Sequence, residues 1–478
     1  MQLRTPTLLQ ALIPLVILIA LLAVNVIVFG DAGLDGPNQL ALLFAAAAAL
    51  VIGIFNRHTF SDLLKHIVRS ISTALGAILI LLLIGALAGT WLISGIVPAM
   101  ISHGLDLLSP KIFLFAACIV CAVVSLATGS SWSTAATVGI ALMGIGKALD
   151  LHPGMVAGAI ISGAYFGDKL SPLSDTTNLA PAIAGTDLFT HIRYLLNTTI
   201  PSFAIALIVF LLIGIFHEGQ TAVAGIDEFQ AAIRSKFNIS WWLYAVPLAV
   251  IVMIWRKVPA LPALFIGVLL GAAFAIIFQP GIVAGIAEGE MGSIERSYKA
   301  VMIAMGSGIS IVTGNEVIDE LLSSGGMKGM LNTIWLILCA MTFGGAMEGA
   351  GLLQRITASV MTWVRGDASL VATTSASCVF TNITASDQYL SIVLPGRMFA
   401  PVYKERGLHP KLLSRTLEDS GTVTSPLVPW NTCGAYMSSV LGVATFVYLP
   451  FAFFNLISPF MAIFQAAIGW RIARIGKS

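Results

Sequence analysis

Between Gly167 and Pro181 the sequence reads GDKLSPLSDTTNLAP, a stretch dense in oxygen-bearing side chains and interrupted by two prolines. Asp168, Ser171, Ser174, Asp175, Thr176, Thr177 and Asn178 all lie within it. A hard monovalent cation prefers several oxygen ligands, with at least one carboxylate to compensate its charge. Sodium suits that set, as the transported or coupling ion. Asp175 is the first choice for the coupling carboxylate, with Asp168 in support. A carboxylate enclosed away from water holds either a cation or a proton, because desolvation penalises the bare anion. Such competition at one group is itself an antiport mechanism. Lys169, beside Asp168, is expected in a structural ion pair rather than as a built-in countercharge.

Three further segments carry related chemistry. LEDSGTVTSPLVPWNTCGAY runs from Leu417 to Tyr436, and its neutral groups Thr422, Thr424, Ser425, Asn431 and Thr432 are candidate ligands around a predicted helix break. Glu418 and Asp419 are expected to pair with Arg415 near a membrane boundary, and Trp430 to pack. TGSSWST (Thr128 to Thr134) and TNITASDQ (Thr381 to Gln388) look like hairpin tips, where helix ends aim dipoles and small polar groups at an ion. Ser130, Ser131, Asn382 and Thr384 are their candidate ligands. Asp387 is a second cation or proton site, with helix capping as its competing role. Glu348, inside GAMEG, has Ala88 as its counterpart in GALAG; it is either a proton site or a glutamate near a helix end. Glu316 and Asp319 are read as marking a boundary.

The elements that must position these residues are membrane helices. Hydrophobic residues make up 57% of the 478 and charged ones 10%, with a mean hydropathy of +0.93; a soluble fold could not bury that much apolar surface. Apolar runs long enough to cross a bilayer occur at Leu8 to Phe29, Gln39 to Phe55, Leu75 to Ile93, Ile112 to Ala127, Ile200 to Phe216, Trp242 to Ile254, Leu261 to Phe278, Ile334 to Met347 and Val440 to Phe464. With the shorter, polar-interrupted pieces between them the expected total is roughly ten to thirteen segments. Exposed backbone is costly in hydrocarbon, so the polar breaks must line a protein-enclosed cavity as broken helices or re-entrant hairpins. Phe60 to Ser70 and Ile294 to Ala300 are mildly amphipathic and suit either the interface or an ordinary loop. The five cysteines are expected to pack as small apolar side chains, without disulfides.

Basic clusters at Arg57, Lys65 and Arg69, at Arg256 and Lys257, from Arg397 to Arg415, and at Arg471, Arg474 and Lys477 are assigned to the cytoplasmic side. The first loop, with Asp31 and Asp35 and no base, is assigned outside. Both termini are then cytoplasmic, in a multi-pass protein of the cytoplasmic (inner) membrane. The net charge of +2 offers no footprint for nucleic acid. No HExxH, GxSxG or Walker A pattern supports an enzyme, and no cofactor is called for.

Two halves repeat. GALAGTWLISG from Gly85 resembles GAMEGAGLLQR from Gly345, TGSSWST parallels TNITASD, and SPLSDTTN from Ser171 parallels SPLVPWNT from Ser425, the last two near 254 residues apart. An inverted-topology repeat is expected, and with it alternating access. The expected organisation is N-terminal helices over 1–59, a first transport repeat over 60–216, a central linking region over 217–299 containing the polar stretch His217 to Ser240 with Glu218, Asp227 and Glu228, and a second repeat over 300–478. The fold class is an all-α membrane protein with re-entrant hairpins and broken helices.

At these residues the chain resembles the NhaC family of sodium/proton antiporters, within the broader ion-transporter superfamily. GDKLSPLSDTTNLAPA carries the most specific part of the likeness, supported by TGSSWST, by SSGGMKGM at Ser323 to Met330 with FGGAMEGAG after it, and by TNITASDQY. The resemblance implies two inverted repeats with Ser/Thr/Asn-tipped hairpins and elevator-like movement of a transport region against a scaffold. It implies sodium and protons as cargo, and leaves open a small organic solute such as a carboxylate or amino acid, because the family includes exchangers of organic acids. The lipid bilayer is the surrounding partner, and a homodimer is compatible with this scaffold.

Overall fold

The computed structural model describes residues 4–29, 35–107, 109–216, 230–256, 258–287, 292–313, 319, 322–360 and 364–475. Asp31, Glu218, Asp227, Glu228, Lys257, Glu316 and Lys477 lie outside them. Helices dominate, as they must where no water can satisfy backbone groups. Among the described residues seven helices are long and apolar enough to cross a membrane: Leu8–Phe29, Pro37–Phe55, Phe60–Ile93, Pro110–Thr128, Leu188–Phe216, Ala260–Phe278 and Gly326–Gly349. Two bent pairs bring the number to as many as nine. Shorter apolar helices cover Ile96–Leu105 and Phe453–Ala467. A two-residue antiparallel ladder pairs Ile309–Ser310 with Ser323–Ser324.

Two apolar stretches fold differently from a simple hydropathy reading. Phe60 to Ser70 is the opening of one continuous 34-residue helix, Phe60–Ile93, whose start is capped by the Thr59 side chain accepting from the Asp62 N–H. At 1.5 Å per residue that helix is about 50 Å long, more than the ~30 Å hydrocarbon core. Its amphipathic first turns are therefore not a separate surface helix. Val440 to Phe464, which reads as one span, is broken. Thr432–Leu441 ends at Gly442, in the left-handed region with φ +67°, and the helical segment Thr445–Phe451 departs at 86° before Phe453–Ala467 begins. Hydropathy cannot register a bend made by one glycine.

Close packing places the polar breaks. The Pro153–Leu170 helix lies against Pro110–Thr128, and a Cβ added at Gly163 or Gly167 would fall 2.0 Å from the Cys118 carbonyl oxygen or 2.3 Å from that of Ala122. Small residues four apart thus let two backbones touch, the usual device between membrane helices. Asp168 rides on the last turn of that helix. The GALAG and GAMEG glycines serve the same purpose: Gly89 abuts the Ala304 carbonyl and Gly345 abuts Ile67 Cα.

Helix boundaries recur at a constant interval. Helices begin at Pro110 and Asp367, at Pro153 and Pro410, at Asp175 and Thr432, and at Leu188 and Thr445, each pair 257 residues apart. Left-handed residues follow the same interval: Gly129 and Ser386, Asp150 and Gly407, Gly185 and Gly442. His152 and His409 both cap the next helix through Nδ1. This register opposes Thr128 to Ala385, about one helical turn from the Thr128–Thr381 match of the motifs. Around the second break both intervals hold. The helix from Pro410 reaches Ser425 three residues sooner than its counterpart reaches Ser171, and the linker to Asn431 is three residues longer than the one to Ser174.

Candidate ion site

Four helical segments start around one cavity. Ser130, Ser174, Asp387 and Asn431 are the N-caps of segments beginning at Ser131, Asp175, Gln388 and Thr432, and each cap side chain accepts a backbone N–H of its own first turn. Ser, Asp and Asn favour this role because a short side-chain oxygen can reach the unsatisfied amides of a helix start. Gly129 permits the closest approach. It is left-handed with φ +71°, and a Cβ there would lie 2.6 Å from Leu173 Cβ and 2.9 Å from the Ser174 amide nitrogen. The first hairpin tip therefore rests directly on the 171–174 break.

The cavity between these starts measures about 700 Å³. Asp168, Asp175 and Asp387 line it, together with Ser130, Ser131, Ser174, Thr176 and Thr432. The three carboxylates differ in setting. Asp168 is 6% exposed, and its Oδ2 accepts from the Ser131 amide at 3.1 Å and the Ser131 hydroxyl at 2.6 Å. The Ser174 hydroxyl also reaches it, and Ser174 Oγ lies 3.2 Å from Thr176 Oγ1. Asp387 is 3% exposed and accepts from the Leu390 amide at 2.9 Å. Asp175 is exposed at the helix start. Among the described residues no ion pair reaches any of the three, and no three His, Cys, Asp or Glu side chains converge on a single metal position.

Most of the other expected ligands sit behind this wall, while Asn178 is exposed. Asn382 Nδ2 donates to the Gly421 carbonyl at 2.7 Å and to Thr424 Oγ1 at 3.0 Å, while Asn431 Nδ2 donates to Asn382 Oδ1 at 3.1 Å. Ser425 donates to Gln388 Oε1 at 3.0 Å. These bonds tie the second hairpin tip to the second break. Ser171 accepts from the Leu173 amide, Asn178 donates to the Pro172 and Ser174 carbonyls, and Thr384 donates to the Phe380 carbonyl. Thr177 donates toward the Asp168 and Lys169 carbonyls. Glu348 is half-buried and away from the cavity lining.

Lys169 is ion-paired, but with Asp419 in the second half rather than with its neighbour, and it also donates to Ser458 at 3.0 Å. Asp419 accepts in addition from Thr198 and Ser458, with Arg415 Nε at 3.7 Å from its other oxygen. Lys169, Arg415, Glu418 and Asp419 are all at most 1% exposed. Arg415 does pair with Asp419, but both are enclosed within the protein in a buried network, where each charge needs a partner to offset desolvation. Glu418 was equally unforeseen as a buried group. Its oxygens take the hydroxyls of Thr422 and, at 3.5 Å, Thr177.

The sequence pattern of the Na+/H+ antiporter family matches residues 163–470, a span that holds both breaks, the second hairpin tip and the buried network. The chain belongs to that family. It is similar to the Na(+)/H(+) antiporter NhaC of Alkalihalophilus pseudofirmus, 40% identical over 91% of this chain and 90% of the relative. It is also similar to the malate-2H(+)/Na(+)-lactate antiporter of Bacillus subtilis, 37% identical over 98% of this chain and 96% of that one. A third relative, the arginine/ornithine antiporter ArcD of Halobacterium salinarum, is 35% identical over 98% of this chain and 93% of its own. Among solved structures, Neisseria gonorrhoeae MtrF covers 85% of this chain and 84% of its own at 13% identity, with a TM-score of 0.37.

Within this antiporter, sequence reasoning missed Trp132, Gln388, Tyr389 and Cys433 as cavity-lining groups. Trp132 lies inside TGSSWST, among the hydroxyls that drew attention to that tip. Its ring stacks on Tyr436 with centroids 3.8 Å apart. Gln388 follows Asp387 directly, so its place at the hairpin tip was a readable signal.

Proposed function

We propose that this chain exchanges sodium for protons across the membrane, with Asp168 and Asp387 as the coupling carboxylates and Asp175 as an outer, solvated one. One observation carries the reading: two buried carboxylates without any cationic partner among the described residues face a single cavity rimmed by hydroxyls. A buried carboxylate in that condition needs either a cation or a proton. Ser131, Ser174, Thr176 and Thr432 supply the oxygens for sodium. When sodium leaves, a proton takes the same charge-compensating place.

The constant interval between matching helix starts and left-handed residues supports a two-fold repeat, and we assign it inverted topology with elevator-like alternating access. The Lys169–Asp419 pair joins the first-half broken helix to the second-half one, which favours their moving as one body. Placement in the cytoplasmic membrane with both termini inside rests on the distribution of basic loops. The test is the purified protein in liposomes, with internal pH recorded as sodium, lithium or potassium is added. Sodium-dependent proton flux supports the reading, and flux that also requires an organic solute sinks simple antiport.

A second reading, sodium- or proton-coupled exchange of a small organic solute, draws on the cavity volume and on the solute-exchanging names of two relatives.

A further inference from the structure

The cavity is much larger than a sodium ion requires. Its volume of about 700 Å³ falls in the ~300–1,000 Å³ range of small-molecule sites, whereas one ion takes space on the order of a water's ~30 Å³. The charge of its wall selects what else fits. Asp168, Asp175 and Asp387 line it, and none of the described lining residues is Lys, Arg or His. Lys169, next to Asp168 in sequence, is turned away to Asp419 and Ser458.

Asp387 is the most enclosed of the three carboxylates. It is 3% exposed and lines the cavity, and its donors are the backbone amides of Leu390 and Tyr389, with no side-chain partner among the described residues. The helix starts at Ser131, Asp175, Gln388 and Thr432 contribute positive ends of about half a charge each. Among the described lining residues, four such ends amount to about two positive charges against three carboxylates, which leaves about one negative charge to be met. Two aromatic rings, Trp132 and Tyr389, share the lining.

We propose that this cavity accepts an organic monocation, a compact ammonium or guanidinium, at the carboxylates that take sodium, with Trp132 and Tyr389 contacting its apolar body. The assignment rests on the sodium/proton reading of the same site. The negative faces of aromatic rings attract such cations. A free organic carboxylate meets like charge on this wall, and it enters only behind enough sodium or protons to cancel that charge.

The test uses the full-length protein in liposomes, with sodium-22 uptake driven by a preset proton gradient. Methylguanidinium and tetramethylammonium serve as competitors because the first stays protonated at any working pH and the second is quaternary, so neither collapses the gradient by crossing as a neutral base. Potassium malate, potassium lactate and potassium chloride are the comparison arms. The expected result is that at least one organic cation raises the sodium KM about tenfold with maximal uptake unchanged, the pattern of binding at one site. Trp132→Leu should weaken that cation about fivefold relative to sodium. The inference is overturned if neither cation competes, or if malate or lactate competes and they do not. Absence of any sodium uptake would instead overturn the antiport reading. In that event the melting temperature of the purified protein decides the inference: a rise with methylguanidinium supports it, and none overturns it.

Discussion

Ser131 gives both its backbone N–H, at 3.1 Å, and its hydroxyl, at 2.6 Å, to the same oxygen of Asp168, a residue of the next broken helix. The first hairpin tip and the first break are therefore one unit with the carboxylate at their junction. Asp168→Asn keeps one oxygen that can accept from Ser131, turns the other into an amide NH2 and removes the charge. Sodium-driven proton flux should fall by about a hundredfold or more, while the protein stays folded by its elution profile. Ser131→Ala loses one charge-assisted hydrogen bond, and the apparent sodium affinity should fall about tenfold. Equal flux for wild type and Asp168→Asn would remove Asp168 from the mechanism.

Asp387 and Asp175 separate by burial. Water already solvates exposed Asp175, so its charge is less dependent on a bound ion than that of Asp387, which is 3% exposed. Asp387→Asn retains a capping oxygen for the Leu390 amide, a role for which Asn is as good as Asp. We expect Asp387→Asn to abolish sodium-dependent flux and Asp175→Asn to raise the sodium KM only about threefold. Initial rates across a sodium series distinguish the two. The opposite order would return the central role to Asp175.

The readable parts of this site were those with local signals. Prolines, hydroxyls and acids inside apolar sequence mark breaks because lipid forbids them elsewhere, and Asp168, Ser131 and Asp387 were found that way. What sequence could not show was pairing across the halves. The neighbour of Lys169 in the chain is Asp168, but its helix turns the ammonium toward Asp419, 250 residues on. Arg415 near Lys404 and Arg406 looked like part of a surface cluster, although it faces inward. The recurrence of helix starts was legible in motif order, while its register was blurred by a linker that differs in length around the two breaks.

The buried Lys169–Asp419 pair permits a quantitative expectation. Removing one partner strands the other in a dry interior, at a cost of about 3–5 kcal/mol. Lys169→Met should therefore lower the melting temperature of the detergent-purified protein steeply, and Asp419→Leu likewise. The double variant should lose clearly less than the sum of the two, because neither charge is then left bare. Arg415, 3.7 Å from Asp419, keeps the double variant from full recovery. Additive losses would mean that the pair is not coupled as the geometry requires.

Gly129 and Ser386 occupy matching left-handed positions at the two hairpin tips, with φ +71° and +58°, yet they should respond oppositely to substitution. A side chain at Gly129 meets both backbone strain and the Leu173–Ser174 segment at under 3 Å. Gly129→Ala should push the tip off the break, separate Ser131 from Asp168 and cost most of the sodium-driven flux. Ser386 already bears the left-handed conformation with a Cβ, at about 1–2 kcal/mol, and its buried hydroxyl lacks a hydrogen-bond partner among the described residues. Ser386→Gly relieves both penalties and keeps the backbone carbonyl that accepts from the Thr432 amide at 3.0 Å. Its melting temperature should rise by the equivalent of about 1 kcal/mol, with flux retained. A fall would show that the Ser386 hydroxyl is held by a group inside the cavity wall, and would move it from structural strain to the ion site itself.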